Sequence, residues 1–505
     1  MSFATNQIEF TLAEARLSSP PADRLMKYYV LPALIKERRH FDEFLLVDLA
    51  HTTMIAEQGI IDRATAKALI GALHELRGTG EDALVVDPGK GSFLLQVESY
   101  LREKVGDQIS GQMHTGRSRI DQGATVRRLA ERNLTLEVFS ALLEMRDAVL
   151  TVAEEHSRTV MPGYTHMQQA QPWVFGHYLL SFAYRLEESF VRLSEAYLRM
   201  NRNPLGTVGL AGTSWPLDRY RTTQFLGFHD VIENSKLGRE AYYAAEVVAA
   251  LSFIMSDLND LATDLHIWSS TEFGLVESDD SYCGTSSIFP QKKNPAGLEA
   301  VKAASGGAVT WLATALATFR AEGTGDQAIR ELPMAEDALF STFASLELLA
   351  GIVSTLSVHQ EKMLASVRSS WTTASNLADA IVRETGLPFR EVHHVVGRLV
   401  RNCLALDITP VQVTIDHLSQ AAMETIGSPI DVHQDLLSRA LDPEEFVRSR
   451  VTTGSVAPAE VDRMLARCAS QIGNHREWLE AEHVRIRNGE AALAMAMADI
   501  LEDGR

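Results

Sequence analysis

Three stretches of the chain, residues 121–159, 171–199 and 239–269, are patterned for helix with hardly a break. The first is dense in Ala, Leu, Glu and Arg, which lose little on entering a helix. Apolar positions recur at three- and four-residue spacing, the signature of one buried helical face. Runs at 295–319 and 335–364 carry the same period. An ordinary globular helix is about 11–12 residues long, so runs of this length restrict the chain to coiled coils or long bundles. Pronounced strand-type alternation is absent. The expected fold is all-α, an elongated central helix bundle flanked by two smaller helical domains. The expected domains are an N-terminal helical unit (1–113), the central bundle (114–365) and a small C-terminal helical unit (366–505).

The flanking regions are punctuated differently. Residues 1–20 read as an irregular arm. Residues 24–58 predict two helices interrupted near Pro32, with Gly59 at the C-terminal cap and Asp62 capping a helix over 63–77. Another helix is expected over 93–105. From Ser366 onward, Gly386, Pro388, Pro410, Pro429 and Pro458 divide the chain into short units.

Composition excludes several functions. The formal net charge of -19 argues against nucleic acid as a partner, because phosphate contacts need clustered Lys and Arg. The three cysteines, Cys283, Cys403 and Cys468, are too far apart for a metal motif or a disulfide framework. No His/Cys cluster is present, so no metal and no cofactor are expected. No stretch reaches the roughly 18 apolar residues of a membrane span without charges, and a cytoplasmic protein without membrane contact is expected.

Polar segments sit between the long runs. His114-Thr115-Gly116-Arg117-Ser118-Arg119 leads into the first. Val160 to His166 forms a polar turn before the second. Gly284 to Asn294 precedes Pro295, a good opening residue for the helix that follows. Ser286 or Ser287 needs nearby cations or amides to become reactive, and Lys292 and Lys293 lie close in sequence. His114, Arg119 and Lys292 suit carboxylates. His166 exchanges protons near neutral pH, and Glu299 is placed to orient a histidine. An ordinary surface loop and an exposed helix acid remain the alternatives for these residues. Gly206 to Gly212 lacks the strand and spacing of a dinucleotide site. Long helices hold their ends far apart, so a site using all three segments predicts an oligomer that brings ends from different subunits together.

These segments carry a family resemblance. Thr285 to Pro295 resembles the signature Gly-Ser-Ser-x-Met-Pro-Gln-Lys-Lys-Asn-Pro of the fumarase/aspartase superfamily, with Thr285 and Phe289 as the departures. His114 to Gln122 resembles His-Thr-Gly-Arg-Ser-Arg-Asn-Asp-Gln, and Pro162 to Gln168 resembles Pro-Gly-Tyr-Thr-His-Leu-Gln. The pattern is similar to that of argininosuccinate lyases over about residues 35–465. It implies a homotetramer with a twenty-helix core, each active site shared between three subunits. It implies anti elimination from an N-substituted aspartate, giving fumarate and an amine. By position, Ser286 matches the base, Lys292 and Asn294 the groups holding the carbanion, and His166 with Glu299 the acid or leaving-group pair. Ser118, Arg119, Thr165 and Gln168 match groups around the succinyl carboxylates.

The departures fall on the other half of the substrate. The family's Asn after Ser-Arg is Ile120, and a substrate-binding Ser falls on Arg38. The family's Tyr, Gln and Lys that grip the amino-acid end fall on Ala328, Pro333 and Glu336. No Tyr or Lys occurs between Phe319 and Phe340, and Arg330 is the cation offered instead. The expectation is therefore a carbon–nitrogen lyase whose leaving group is not arginine, such as an aminopolycarboxylate. Argininosuccinate cleavage is the alternative, and a catalytically silent, crystallin-like structural protein is a third reading.

Overall fold

The computed structural model describes residues 21–84, 86–319 and 333–502. The principal helices of the first two-thirds of the chain are α1 (Phe41–Glu57), α2 (Arg63–Thr79), α3 (Phe93–Val105), α4 (Arg119–Glu155), α5 (Phe175–Met200), α6 (Tyr242–Trp268), α7 (Ala296–Ala308), α8 (Trp311–Phe319) and α9 (Pro333–Ser354). Long α4, α5, α6 and α9 pack side by side into the elongated bundle. Their apolar faces form one continuous core, with Phe139, Phe190, Tyr197, Leu251 and Leu346 among its buried members.

Several local expectations change. The break in residues 24–58 falls at Arg39-His40, while Pro32 lies inside a continuous helical stretch over 23–38, directly after the π-helical turn Met26–Val30. The run over 295–319 breaks between α7 and α8. The run over 335–364 ends at Ser354, and Gln360–Arg368 is a separate helix. Asp62 caps α2 by accepting the Thr65 N–H.

The largest departure is a helix of 44 residues, α10 (Pro458–Leu501), where short units were expected. Val461, Met464, Cys468, Ile472 and Leu479 join the bundle core. Leu493, Met497 and Ile500 join the cluster of the N-terminal helices α1, α2 and α3. Tyr197 Oη and His229 both bond to buried Glu482 of this helix, at 3.0 and 2.9 Å. The compact C-terminal cluster is built from residues 377–441 and does not include α10.

α9 contains a window, Ala335–Ser354, long and apolar enough to cross a membrane by length and composition. Half of that window is buried, and α9 packs extensively along α4.

Candidate active site

The three polar segments lie at the ends of the bundle. The His114–Arg119 segment enters α4. Ser118 is its N-cap and accepts the Ile120 N–H, while Asp121 accepts the Ser118 N–H at 2.8 Å, completing a capping box. The helix therefore presents its free N–H groups and positive dipole end beside exposed Arg119, an arrangement suited to an anion. His114 Nδ1 stands 2.9 Å from Glu98.

This segment is fixed from behind. Arg117 donates to Asp48 at 2.5 Å, and both side chains are fully buried. Gln122 donates to the same Asp48 oxygen, and His51 Nε2 lies 2.9 Å from the Thr115 carbonyl. Burial raises the Asp48 carboxyl despite the opposing pull of Arg117. Burial also pushes His51 well below the ordinary imidazole range. The other oxygen of Asp121 accepts the N–H groups of Gly206 and Val208, tying the glycine-rich 204–212 loop to the same corner.

The second segment is a β-hairpin and not a turn: β1 (Val160–Thr165) pairs antiparallel with β2 (Gln168–Val174). His166 and Met167 form its two-residue tip, with φ of 53° and 59°. Both central residues in the left-handed region define a type I′ connection, which normally favours Asn or Gly. Non-glycine residues held there are locally strained. Thr165, His166 and Gln168 are exposed. Gln169 anchors the hairpin to Ser366 at 2.9 Å.

The third segment is also a small ribbon. β3 (Gly284–Thr285) pairs antiparallel with β4 (Lys293–Asn294), leaving 286–292 as the tip. Ser286 Oγ accepts the backbone N–H of Phe289 at 3.0 Å and of Ile288 at 3.3 Å. Two N–H donors aimed at this oxygen favour its anionic form. Lys293 pairs with Glu277 and Asp280 at 2.8 and 2.7 Å, which hold its ammonium above the ordinary lysine range. Lys292 is exposed and has no side-chain partner among the described residues. Ile288 and Phe289 are 75% and 53% exposed, so the tip offers apolar surface beside its catalytic candidates.

Distances decide what one chain can assemble. α4 has 37 residues, about 55 Å at 1.5 Å per residue. His114–Arg119 stands at one end and the β1–β2 hairpin follows the other. The root of the Ser286 ribbon lies at the hairpin end, where Phe273 packs edge-on against Tyr164 at 5.8 Å. Glu299, on the first turn of α7, stands 4.0 Å from His266. No contact joins Glu299 to His166 among the described residues. Arg38 pairs with Glu81 and Asp82 on the outer face of the N-terminal helices. Glu336 pairs with His40 at 2.9 Å. Ala328 and Arg330 lie outside the described residues, as does the side chain of Pro333.

The lyase family profile matches residues 21–309, and the argininosuccinate lyase C-terminal profile matches 371–448. The chain belongs to the argininosuccinate lyase-like group of the fumarase/aspartase superfamily. It is a lyase, an enzyme of carbon–nitrogen type. It is 33% identical over 486 residues to argininosuccinate lyase 1 of Shouchella clausii, covering 95% of this chain and 96% of that one. It is 35% identical over 457 residues to the argininosuccinate lyase of Methanocaldococcus jannaschii, covering 90% and 93%. The crystal structure of an EDDS lyase in complex with formate superposes with a TM-score of 0.86 at 31% identity, covering 96% and 97%. A 3-carboxy-cis,cis-muconate lactonizing enzyme from Pseudomonas putida shares the fold at 18% identity and a TM-score of 0.68.

These findings correct the expected leaving group. Several near-full-length relatives at 33–35% identity are argininosuccinate lyases, so the arginine-forming reaction is favoured over the non-arginine reading drawn from Arg38, Ile120 and residues 328–336. Those positions misled because they tested whether one particular residue set was present.

Sequence reasoning also missed Asp48, His51 and Asp121, which hold the segments in place. Asp48 and His51 were visible as polar residues three apart within the mainly apolar stretch Phe44–Ala50 and its continuation to Ile55.

Proposed function

We propose that this enzyme cleaves argininosuccinate to arginine and fumarate, reversibly, by anti elimination. The observation that carries the chemistry is Ser286 Oγ receiving two backbone N–H groups at the tip of an exposed ribbon. Preorganised donors lower the cost of an alkoxide there, as a serine base requires. Ser286 removes the proton from the succinyl Cβ. The electron pair delocalises into the adjacent carboxylate, where Lys292 and Asn294 stabilise it. It then forms the C=C bond of fumarate as the C–N bond breaks, and the guanidine nitrogen leaves as arginine. His166, supported by Glu299, serves the leaving group. Ser118, Arg119, Thr165 and Gln168 bind the succinyl carboxylates, with His114 and Ile120 lining the approach. Arg38, tied up by two acids, has the weakest claim to touch substrate.

The site is shared between three subunits of a homotetramer. Two observations support this. α4 spans about 55 Å between the end that carries Arg119 and the end that leads into the hairpin of His166. The bundle also exposes Phe253, Val309, Leu312, Leu316 and Phe340, apolar surface of the kind that marks an interface. In this reading Glu299 meets the His166 of another subunit. In the division 1–113, 114–365 and 366–505, residues 458–501 of the third unit pack on the first two. Three free cysteines suit a reducing, cytoplasmic setting.

The test is the reverse reaction, fumarate offered with L-arginine and with a panel of other amines, followed by loss of fumarate absorbance. Consumption with arginine that Ser286→Ala abolishes supports the reading. Turnover that survives Ser286→Ala removes Ser286 as the base, and consumption confined to other amines rejects argininosuccinate.

A further inference from the structure

A cavity of about 300 Å³ lies where the Arg39-His40 corner and the starts of α6 and α9 meet α4. Its α4 wall is Gly123, Val126, Arg127 and Glu131. Positions 120, 123, 127 and 131 recur at helical spacing, so this wall continues the stripe that begins at Ile120. Ile120 directly follows Ser118 and Arg119, so the cavity lies on the same helix face, about one turn beyond the proposed succinyl end. A Cβ at Gly123 would meet nothing within 4 Å, which leaves that stretch of the wall open.

Glu131 is the residue this cavity does not explain. Its side chain is 6% exposed, and its Oε2 has no hydrogen-bond partner. An unpaired buried carboxylate oxygen is costly unless a donor reaches it. Three other carboxylates line the cavity: Glu336 is paired with His40, Glu37 accepts the Phe93 N–H, and Asp337 is exposed to solvent, so Glu131 is the buried one with an unpaired oxygen. Arg128 is stacked on the Tyr243 ring at 3.8 Å. Arg127 lines the cavity with no hydrogen bond or ion pair among the described residues.

We infer that this cavity receives the α-amino-acid end of the leaving group, with Glu131 accepting its ammonium and Arg127 facing its carboxylate. The inference rests on the proposed arginine-forming reaction and deepens it. It supplies the amino-acid clamp that no Tyr or Lys between Phe319 and Phe340 provides. Extended argininosuccinate spans about 10 Å from the succinyl Cα to the arginine amine by standard bond lengths, and Glu131 lies about 16 Å along α4 from Ile120. The remaining distance of about 6 Å is covered by the Glu131 side chain, which reaches about 4 Å from its Cα toward the helix N-terminus, and a hydrogen bond of about 3 Å.

The experiment uses the intact oligomer and three probes: argininosuccinate, L-arginine, and 5-guanidinopentanoate, which lacks the α-amine. The wild type is expected to bind L-arginine about ten- to hundredfold more tightly than the deamino compound, the range of one charge-assisted hydrogen bond. Glu131→Gln, an isostere without the charge, should erase that preference and raise KM for argininosuccinate more than it lowers kcat. Glu131→Asp should restore part of the preference. A Glu131→Gln enzyme that keeps both the preference and the wild-type KM overturns the assignment. A wild type that fails to cleave argininosuccinate, yet shows a Glu131-dependent preference for the amine, rejects the proposed reaction and upholds the cavity assignment.

Discussion

Replacing Asp48 by alanine should destabilise the enzyme by about 3–5 kcal/mol, the usual cost of leaving one member of a buried ion pair without its partner. Arg117 and Asp48 are both fully buried and 2.5 Å apart. Arg117 Nε and Nη2 have no other partner, and neither has Asp48 Oδ2. Removal of the carboxylate leaves a guanidinium in the core with nothing to balance it. The pair itself should contribute little net stability. Burial raises the Asp48 carboxyl even beside an arginine, so desolvation outweighs attraction. The double variant Asp48→Leu with Arg117→Met should therefore unfold close to wild type. It should still lose activity, because Ser118 and Arg119 are no longer held against α1. The assay is urea denaturation at one fixed subunit concentration, paired with steady-state fumarate formation. An Asp48→Ala protein within about 1 kcal/mol of wild type would refute the reasoning. So would a double variant as unstable as the single one.

Met167→Gly should stabilise the hairpin by about 1 kcal/mol, because glycine accepts a φ of 59° without cost; thermal unfolding checks it. His166→Asn keeps a residue that tolerates the left-handed turn while removing the imidazole, and kcat should fall about a hundredfold or more with the fold unchanged. Lys292→Ala should abolish most fumarate formation, whereas Lys293→Ala, which only releases Glu277 and Asp280, should loosen the ribbon and lower activity less. Burial raises the Glu131 carboxyl from 4.5 to about 7. Its proton is therefore held more tightly folded than unfolded, and its contribution to stability is complete below pH 4.5 and lost as pH rises through 7. The loss is about 3 kcal/mol in the wild type, and denaturation from pH 4 to 8 should show a flatter profile in Glu131→Gln.

The bundle was legible because its helices are long. The starts of α4, α5 and α6 at Arg119, Phe175 and Tyr242 fall within a few residues of the periodic runs. The β1–β2 hairpin was not legible. Its strand Val160-Met161-Pro162-Gly163-Tyr164-Thr165 contains Pro and Gly, and its tip is His-Met where Asn-Gly would announce the turn. Helix α10 was hidden because Pro458 reads as a break when it actually occupies the helix's first turn. Its core-facing residues are also spread thinly along two different clusters. The motif singled out Ser286 as a candidate, but the two N–H groups bonded to its oxygen come from backbone geometry. The leaving group could not be read from the expected positions, since Arg38 and Glu336 are committed to ion pairs. The buried Glu131, eleven residues beyond Ile120, shows its unpaired oxygen only in three dimensions.

The most direct test is to give the purified enzyme argininosuccinate and quantify both products together by chromatography. Fumarate and arginine should appear in equal amounts, and both should vanish with Ser286→Ala. Intact argininosuccinate after prolonged incubation with folded, oligomeric wild-type enzyme would contradict the account.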